Sequence, residues 1–223
     1  MANLMAVERA LSLSRLEPYV KAAGAGLAEG VRLYEWNIAI SAAFFEVLAH
    51  FEVTLRNALH ERLTVLADRE AWWSAPGLTF TPAATDMIDK ACAEMTRRGT
   101  DGSTGHVVAA LPFGFWVGLL SAGGRCNYEM TLWRPGLRRA FPGYRGTRSA
   151  LYPRLNTLRL LRNRIAHHEP IYRRHLAADH DTIIELTTWI SPGFTSWVAE
   201  RSRVPALLAE HPLSGSPRCD DQP

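Results

Sequence analysis

With 223 residues, 47% of them hydrophobic and 21% charged, the chain has the composition of a globular protein, which excludes a fibrous or wholly disordered architecture. A chain of this length buries roughly 70% of its unfolded surface, enough for one large domain. The net charge is only +3, no apolar run reaches the ~18 uninterrupted residues of a membrane span, and no secretory signal opens the chain, so we expect a cytoplasmic protein without a membrane partner.

Apolar residues at helical spacing dominate the first part of the chain. Residues 2–16 and 20–27 predict short helices that are separated at Pro18 and ended by glycines. Residues 33–66 carry apolar side chains three or four positions apart, without Gly or Pro. They predict a helix roughly 50 Å long, with a kink or a short break as an alternative.

A connecting segment and a shorter helix follow. Residues 72–82 contain Pro, Gly and a second Pro, and predict a loop. Thr81, directly before Pro82, predicts the start of a helix that ends at Arg98. Residues 97–105 predict a flexible turn.

The second half is again helical by its apolar spacing. Residues 106–120 predict a helix bent by a proline and a glycine, and residues 134–146 predict a loop. Residues 147–167 predict a helix with a buried apolar stripe, and residues 179–190 and 194–208 predict two more. The stripe consists of Leu151, Leu155, Leu158, Leu161 and Ile165.

These elements together predict the fold class. No stretch alternates with a period of two over several strands, so we expect an all-α protein whose long and short helices form a bundle. We expect a single domain over residues 1–210. The polar, proline-rich residues 211–223 predict a disordered tail.

Cysteine usage indicates no metal and no other cofactor. Cys92, Cys126 and Cys219 lie far apart, without a CxxC pair, and predict free thiols in a reducing compartment. His60 and Glu61 could begin a metallohydrolase HExxH motif, but no second histidine follows at the required position.

Positive charge is concentrated in one segment. From Arg125 to Arg174, twelve arginines stand against two glutamates, a surplus of ten inside an otherwise acidic protein. Such a segment is the usual footprint of polyanion binding, because each neutralised phosphate releases counterions. The alternative is that arginine is simply the preferred cation of this chain, since only Lys21 and Lys90 are lysines. Charge alone leaves both interpretations open.

The most informative stretch is LRNRIAHHEP, residues 161–170. A guanidinium carries a permanent charge and matches phosphate oxygens, whereas an imidazole exchanges a proton near neutral pH. Arg162 and His167 could therefore bind a phosphate and move a proton, which is the minimum chemistry for cutting RNA without a metal. The alternative for both is a solvated helix end, where a histidine is favoured by the negative end of the helix dipole.

Helical geometry places the polar residues of this stretch on different faces. Four of them fall opposite the leucine stripe, and we expect this face to point away from the core: Asn156, Arg159, Asn163 and His167. His168 falls on the stripe, which favours a packed core histidine. Arg162 and His167 point about 140° apart on a regular helix, so a shared site requires the helix to end or bend before Pro170, or a second copy of the chain to complete it.

The long first helix also places polar groups on or beside its apolar face, where they must find partners: Asn37, Ser41, Glu52 and Arg56. Glu52 and Arg56 are four residues apart and favour a structural ion pair with each other. The alternative is that they orient Arg162 or His167.

Four blocks of the sequence resemble one family. YEWN at 34–37, HFEVTLRNAL at 50–59, PFGFWVGLL at 112–120 and LRNRIAHHEPI at 161–171 are similar, in this order, to blocks of the Abi-like (AbiD/AbiF type) abortive infection proteins of the HEPN superfamily. The resemblance covers roughly residues 30 to 190. It implies a HEPN-like helical bundle that acts as a metal-independent ribonuclease, with a site shared across a homodimer.

The resemblance also implies roles for individual residues. Arg162, Asn163 and His167 occupy the catalytic positions of the RxxxxH motif, and His168 allows the alternative spacing of six. Possible supporting residues are His168, Glu52, Arg56 and Asn57. Candidate RNA-binding residues are Arg159, Arg164, Arg173 and Arg174.

The biological role implied by the resemblance is bacterial anti-phage abortive infection or toxin-antitoxin defence. RNA is then the substrate, and a neutralising protein or RNA partner is a further expectation. The alternative is a non-catalytic RNA-binding or regulatory protein with a HEPN fold, since some members of the superfamily have lost catalysis.

Overall fold

The structure is a computed structural model, and it describes residues 4–99 and 103–213. Every regular element in these residues is helical, which confirms the predicted all-α class. Residues 214–223 of the predicted tail, including Cys219, and residues 100–102 of the predicted turn lie outside the described residues. Cys92 and Cys126 are free thiols, as expected.

Ten α-helices lie in the described part of the chain. They are α1 Leu4–Leu11, α2 Leu13–Ala23, α3 Leu27–Ala67, α4 Pro82–Arg97, α5 Thr104–Ala110, α6 Phe113–Gly118, α7 Arg148–Ala166, α8 Leu176–Ile190, α9 Pro192–Arg201 and α10 Val204–Ala209. Short 3₁₀ turns occur at Trp72–Ser74, Gly124–Cys126 and Leu137–Ala140, and a π-helical turn at Glu129–Trp133.

These elements cluster into two compact units. The first unit takes residues up to Glu46, then Arg164–His180, then the residues from Ser202 onward. The second unit takes Val47–Asn163 and Asp181–Arg201. The expected single domain over residues 1–210 stays a prediction.

Helix α3 is longer than the sequence predicted. It runs without a break for 41 residues, about 60 Å at 1.5 Å per residue. It includes Gly30, which was expected to lie outside it. A side chain at Gly30 would meet Val20 of α2 at 2.5 Å, so the glycine serves the close approach of α2 and α3.

By length and composition, α3 is the one helix among the described residues that could cross a membrane. Its most apolar 18-residue window has a mean hydropathy of 1.6, and 39% of that window is buried in the structure. The core helix of a soluble protein passes the same test. The expectation that the protein has no membrane partner stays a prediction.

The predicted break at Pro18 is wrong, because α2 runs through this proline and the chain breaks at Ser12 instead, where φ is +70°. Leu16 and Tyr19, on either side of Pro18, are fully buried. Their packing outweighs the hydrogen bond that a proline removes from a helix. Local propensity was overridden here by tertiary contacts.

The sequence predicted some helix boundaries correctly and missed others. The Thr81 hydroxyl accepts a hydrogen bond from the Ala84 amide at 3.3 Å, which confirms the predicted start of α4. Residues 106–120 form α5 and α6 rather than one bent helix, because Pro112 holds Leu111 in an extended conformation. The helix predicted over residues 194–208 is likewise divided, into α9 and α10.

Helix α7 carries the central motif, and its apolar stripe is confirmed. All five predicted residues are at most 8% exposed. Its first residue, Arg148, is 12% exposed and binds the Glu129 carboxylate at 3.0 Å and the Leu120 carbonyl at 2.9 Å. These bonds and the buried leucines fix residues 148–163 of α7 within the second unit.

Candidate active site

An ion pair between α3 and α7 holds the motif arginine. Nε of Arg162 lies 3.6 Å from Oε2 of Glu52, and the two side chains are 35% and 24% exposed. This Nε is buried and makes no hydrogen bond within the described residues, so its interaction with Glu52 is electrostatic. The carboxylate therefore restrains the guanidinium, while the terminal NH₂ groups make no hydrogen bond within the described part of the chain.

The predicted ion pair between Glu52 and Arg56 is wrong. Of the two arginines, the one that pairs with Glu52 is Arg162, whereas Nε of Arg56 is buried without a hydrogen-bond partner in the described residues. The carboxylate extends toward α7 instead of along its own helix. This arrangement matches the alternative interpretation, in which Glu52 orients Arg162. Asn57, the other candidate on this stretch of α3, is exposed.

The polar face of α7 is partly covered. Asn156, Arg159 and Asn163 are half-buried, so the prediction that their face points away from the core is only partly correct. Nε of Arg159 donates to Oδ1 of Asn156 at 2.9 Å. The reason for the coverage is α6, where a Cβ added to Gly114 would lie 3.7 Å from Cδ of Arg159. Arg159 is thus engaged within the second unit.

His167 and His168 both follow the end of α7 and are exposed. The prediction of a packed core histidine at His168 is wrong, because the helix ends at Ala166 and the seven-residue spacing from Leu161 no longer places it on the stripe. His168 adopts a left-handed conformation with φ +56°, and its carbonyl accepts a hydrogen bond from Arg15. Both imidazole rings are free of side-chain hydrogen bonds among the described residues.

The segment after the histidines is anchored by a buried amide. Oδ1 of Asn37, which is 1% exposed, accepts hydrogen bonds from the amides of Ile171 at 2.8 Å and Tyr172 at 3.2 Å. The Tyr172 hydroxyl donates to the Pro18 carbonyl at 2.8 Å, and its ring lies 5.2 Å from that of Tyr19. Burial raises the pKa of Tyr19 to about 12, so the Tyr19 hydroxyl stays neutral.

Asn37 is a positioning residue that sequence reasoning did not assign to the site. Its signal was present, since an asparagine on the apolar face of a helix must find partners. Those partners lie more than 130 residues along the chain. Asn37 of the YEWN block is therefore bonded to Ile171, the last residue of the LRNRIAHHEPI block, and to the residue that follows it, within the first unit.

Three further arginines expected to bind RNA have protein partners in the first unit. Arg174 forms a bidentate pair with Asp179 at 2.8 and 2.9 Å. Arg164 lies 3.4 Å from Glu169, and Arg173 donates to the Tyr172 hydroxyl at 3.1 Å. Part of the arginine surplus is thus neutralised.

The motif residues divide between the two units: Arg162 and Asn163 belong to the second, His167 and His168 to the first. Within the described residues, no group of three or more His, Cys, Asp or Glu side chains is placed to hold a metal ion. No protein-family model, curated protein or solved structure matches the chain. Functional inference therefore rests on the residues themselves.

Proposed function

We propose that the protein is a metal-independent endoribonuclease of the HEPN type, with Arg162, Asn163 and His167 as its catalytic residues. The observation that carries the proposal is the state of Arg162, whose Nε faces the Glu52 carboxylate at 3.6 Å. A guanidinium restrained on one side and free on the other can hold a phosphate with its terminal NH₂ groups. The exposed His167 ring supports the proposal, since it is open to a substrate.

The proposed mechanism is an internal transfer at the RNA phosphodiester. His167 takes the proton from a ribose 2′-hydroxyl, and the 2′-oxygen attacks the adjacent phosphorus. The bond from phosphorus to the 5′-oxygen breaks, this oxygen takes a proton from water, and His167 then releases its proton to solvent. Arg162 stabilises the charge that builds on the phosphate, and Asn163 positions both groups. The products are a 2′,3′-cyclic phosphate and a 5′-hydroxyl.

We propose a homodimer as the active assembly. Large apolar side chains along α3 that face solvent support it: Ile38 is 42%, Phe45 is 51% and Val53 is 43% exposed. Their spacing of seven and eight residues places them along one side of a helix. Exposed apolar surface of this kind marks protein contacts, and a two-fold dimer would bring two copies of the motif together.

The proposed setting is the bacterial cytoplasm, in abortive infection or toxin-antitoxin defence. The support is the resemblance of the four sequence blocks to Abi-like proteins. A ribonuclease that acts on the RNA of its own cell must be restrained, so a neutralising protein or RNA partner belongs to the proposal.

The test is cleavage of RNA in the presence of a chelator. Wild type should cut RNA and leave DNA intact, since DNA lacks the 2′-hydroxyl. Arg162→Ala and His167→Ala should each abolish cutting. His175→Ala and Arg69→Ala, at exposed positions outside the motif, are the matched controls and should cut like wild type. Undiminished cutting by both motif variants, or a strict requirement for a divalent cation, would contradict the proposal.

The alternative function is RNA binding without catalysis. The same ion pair between Glu52 and Arg162 favours it, because such a pair would also hold α3 to α7 in a protein that cuts nothing. RNA that stays intact under all conditions, while its binding falls steeply with salt, would support this alternative.

A further inference from the structure

Three arginines line one groove of the second unit. Arg138 and Arg139 lie in the 3₁₀ turn Leu137–Ala140, and Arg145 follows it in the loop before α7. The groove has a volume of about 580 Å³. No carboxylate is among its lining residues, which are Trp133, Arg138, Arg139, Phe141, Pro142, Tyr144, Arg145 and Gly146. We call it the arginine groove.

The positive charge of the arginine groove is not neutralised by the protein. Within residues 4–99 and 103–213, the side chains of Arg138 and Arg145 make no ion pair and no hydrogen bond, and that of Arg139 donates only to the Pro135 carbonyl. Other arginines nearby in sequence are paired with carboxylates, such as Arg154 with Glu185. The three groove arginines therefore lack the carboxylate partner that arginines such as Arg154 have.

The loop that carries Arg145 is fixed against α8. The Gly143 amide donates to the Trp189 carbonyl at 2.9 Å, and a side chain at Gly143 would meet the Trp189 backbone at 3.0 Å. The Tyr144 ring packs 4.5 Å from that of Trp189, and its hydroxyl donates to the Thr147 carbonyl at 3.0 Å. The wall of the groove is thus formed before any ligand arrives, which lowers the entropic cost of binding.

A second groove adjoins the first and extends it. It has a volume of about 490 Å³, shares Arg139 and Pro142 with the arginine groove, and reaches Asn57 and Arg62 on α3. Arg62 is paired with Glu61 there, so the positive charge is greatest at the arginine groove. The arginine groove is therefore the most positive part of a longer depression, which fits an extended polyanion better than a compact one.

We propose that the arginine groove binds consecutive backbone phosphates of a single nucleic-acid strand. Guanidinium groups match phosphate oxygens. The aromatic lining residues offer little surface for stacking a base, because Trp133 and Phe141 are 6% and 1% exposed and the Tyr144 ring packs against Trp189. The site therefore recognises the charge and the spacing of the phosphates and not the base sequence of the strand. It does not rest on the proposed cleavage, since a protein that only binds the strand would use the same groove.

The test measures binding by fluorescence anisotropy across a salt series. The ligands are labelled oligothymidylate and 2′-O-methyl oligouridylate of equal length, neither of which has a free 2′-hydroxyl to be cut. The variant R138Q/R139Q/R145Q is compared with R69Q/R97Q/R98Q, a control with the same charge change at exposed positions of the second unit. The groove variant should flatten the slope of log affinity against log salt by about 2, because each phosphate that the protein no longer neutralises reduces the slope by ~0.7. The control should keep the wild-type slope.

Each remaining outcome is decisive. An unchanged slope in the groove variant, or equal flattening in both variants, would overturn the site. Inorganic tripolyphosphate that binds as tightly as the strand would assign the groove to a compact polyphosphate instead. The single variant R145Q, whose slope should flatten by about 0.7, guards against misfolding of the triple variant.

Different results would contradict the proposed cleavage and the proposed binding site. Arg162→Ala should lose cleavage and flatten the salt slope by no more than about 0.7, for the one phosphate that it holds. Continued cleavage by this variant would contradict the catalytic assignment alone. A groove variant with an unchanged slope would contradict the groove alone.

Discussion

Glu52 on α3 and Arg162 on α7 form an ion pair across the second unit, with Oε2 and Nε 3.6 Å apart. The two residues are 110 positions apart in sequence, and each is partly buried. If Arg162 holds the phosphate, the carboxylate sets the direction in which its terminal NH₂ groups point.

The first prediction concerns a mutation that removes this restraint. Glu52→Gln keeps the shape of the side chain and removes its charge, so kcat for RNA cleavage should fall roughly ten- to a hundredfold, because the guanidinium is misplaced. The free energy of unfolding should fall by only about 1 kcal/mol, as for other partly exposed pairs. Glu94→Gln, which breaks an ion pair on α4, is the control and should leave kcat unchanged. A loss of stability with kcat unchanged would give Glu52 a structural role only.

The second prediction concerns the anchor of the segment after the histidines. Asn37→Leu leaves the buried amides of Ile171 and Tyr172 without an acceptor, and should lower the free energy of unfolding by about 2–4 kcal/mol. Asn57→Leu, at an exposed position of the same helix, should change it by less than about 0.5 kcal/mol. Denaturant titration measures both. Equal, small effects would mean that the two amides find other acceptors.

The third prediction concerns pH. Nε1 of Trp72 donates to Nδ1 of His60 at 3.0 Å, and burial lowers the pKa of His60 below its usual value of 6.5. As the pH falls through 6.5, the imidazole of His60 is protonated in the unfolded chain before it is protonated in the folded one. The contribution of neutral His60 to the free energy of unfolding is therefore fully present above that pH and is lost in acid.

His60→Asn retains an acceptor but cannot titrate in this range, and tests the pH effect. As the pH is lowered from about 7.5 to about 5, the free energy of unfolding should therefore fall more for wild type than for His60→Asn. A difference that stays constant with pH would mean that His60 titrates alike in both states.

The fourth prediction tests the proposed dimer. Phe45→Glu places a charge on the exposed apolar side of α3 and should convert a dimer into a monomer, measured by light scattering after gel filtration. Val65→Glu, on the same helix and 69% exposed, is the control and should leave the assembly unchanged. Wild type that is monomeric at all concentrations would contradict the dimer directly.

Periodic features of the fold could be predicted from the sequence. The stripe from Leu151 to Ile165 repeats at helical spacing, so local geometry alone identified the buried side of α7. The start of α4 at Thr81 was equally local, because a capping hydroxyl bonds an amide three residues away. Such features depend only on residues that are close together in the sequence, so they can be predicted from it.

The errors arose where distant parts of the chain meet. Helical spacing favours Arg56 as the partner of Glu52, because spacing cannot show that Arg162 lies closer. The spacing from Leu161 predicts His168 in the core only for a helix that continues beyond Ala166, where α7 ends. Pro18 predicts a break because the sequence does not show that the residues beside it are buried.

The chemistry of the ends of the RNA fragments tests whether Arg162 and His167 cleave RNA. Wild type in chelator should produce 2′,3′-cyclic phosphate and 5′-hydroxyl ends. His167→Ala should produce neither, and His168→Ala should produce both if His167 is the motif histidine. Ends that carry a 5′-phosphate, or the same cyclic products from a protein lacking Arg162, His167 and His168, would contradict the account.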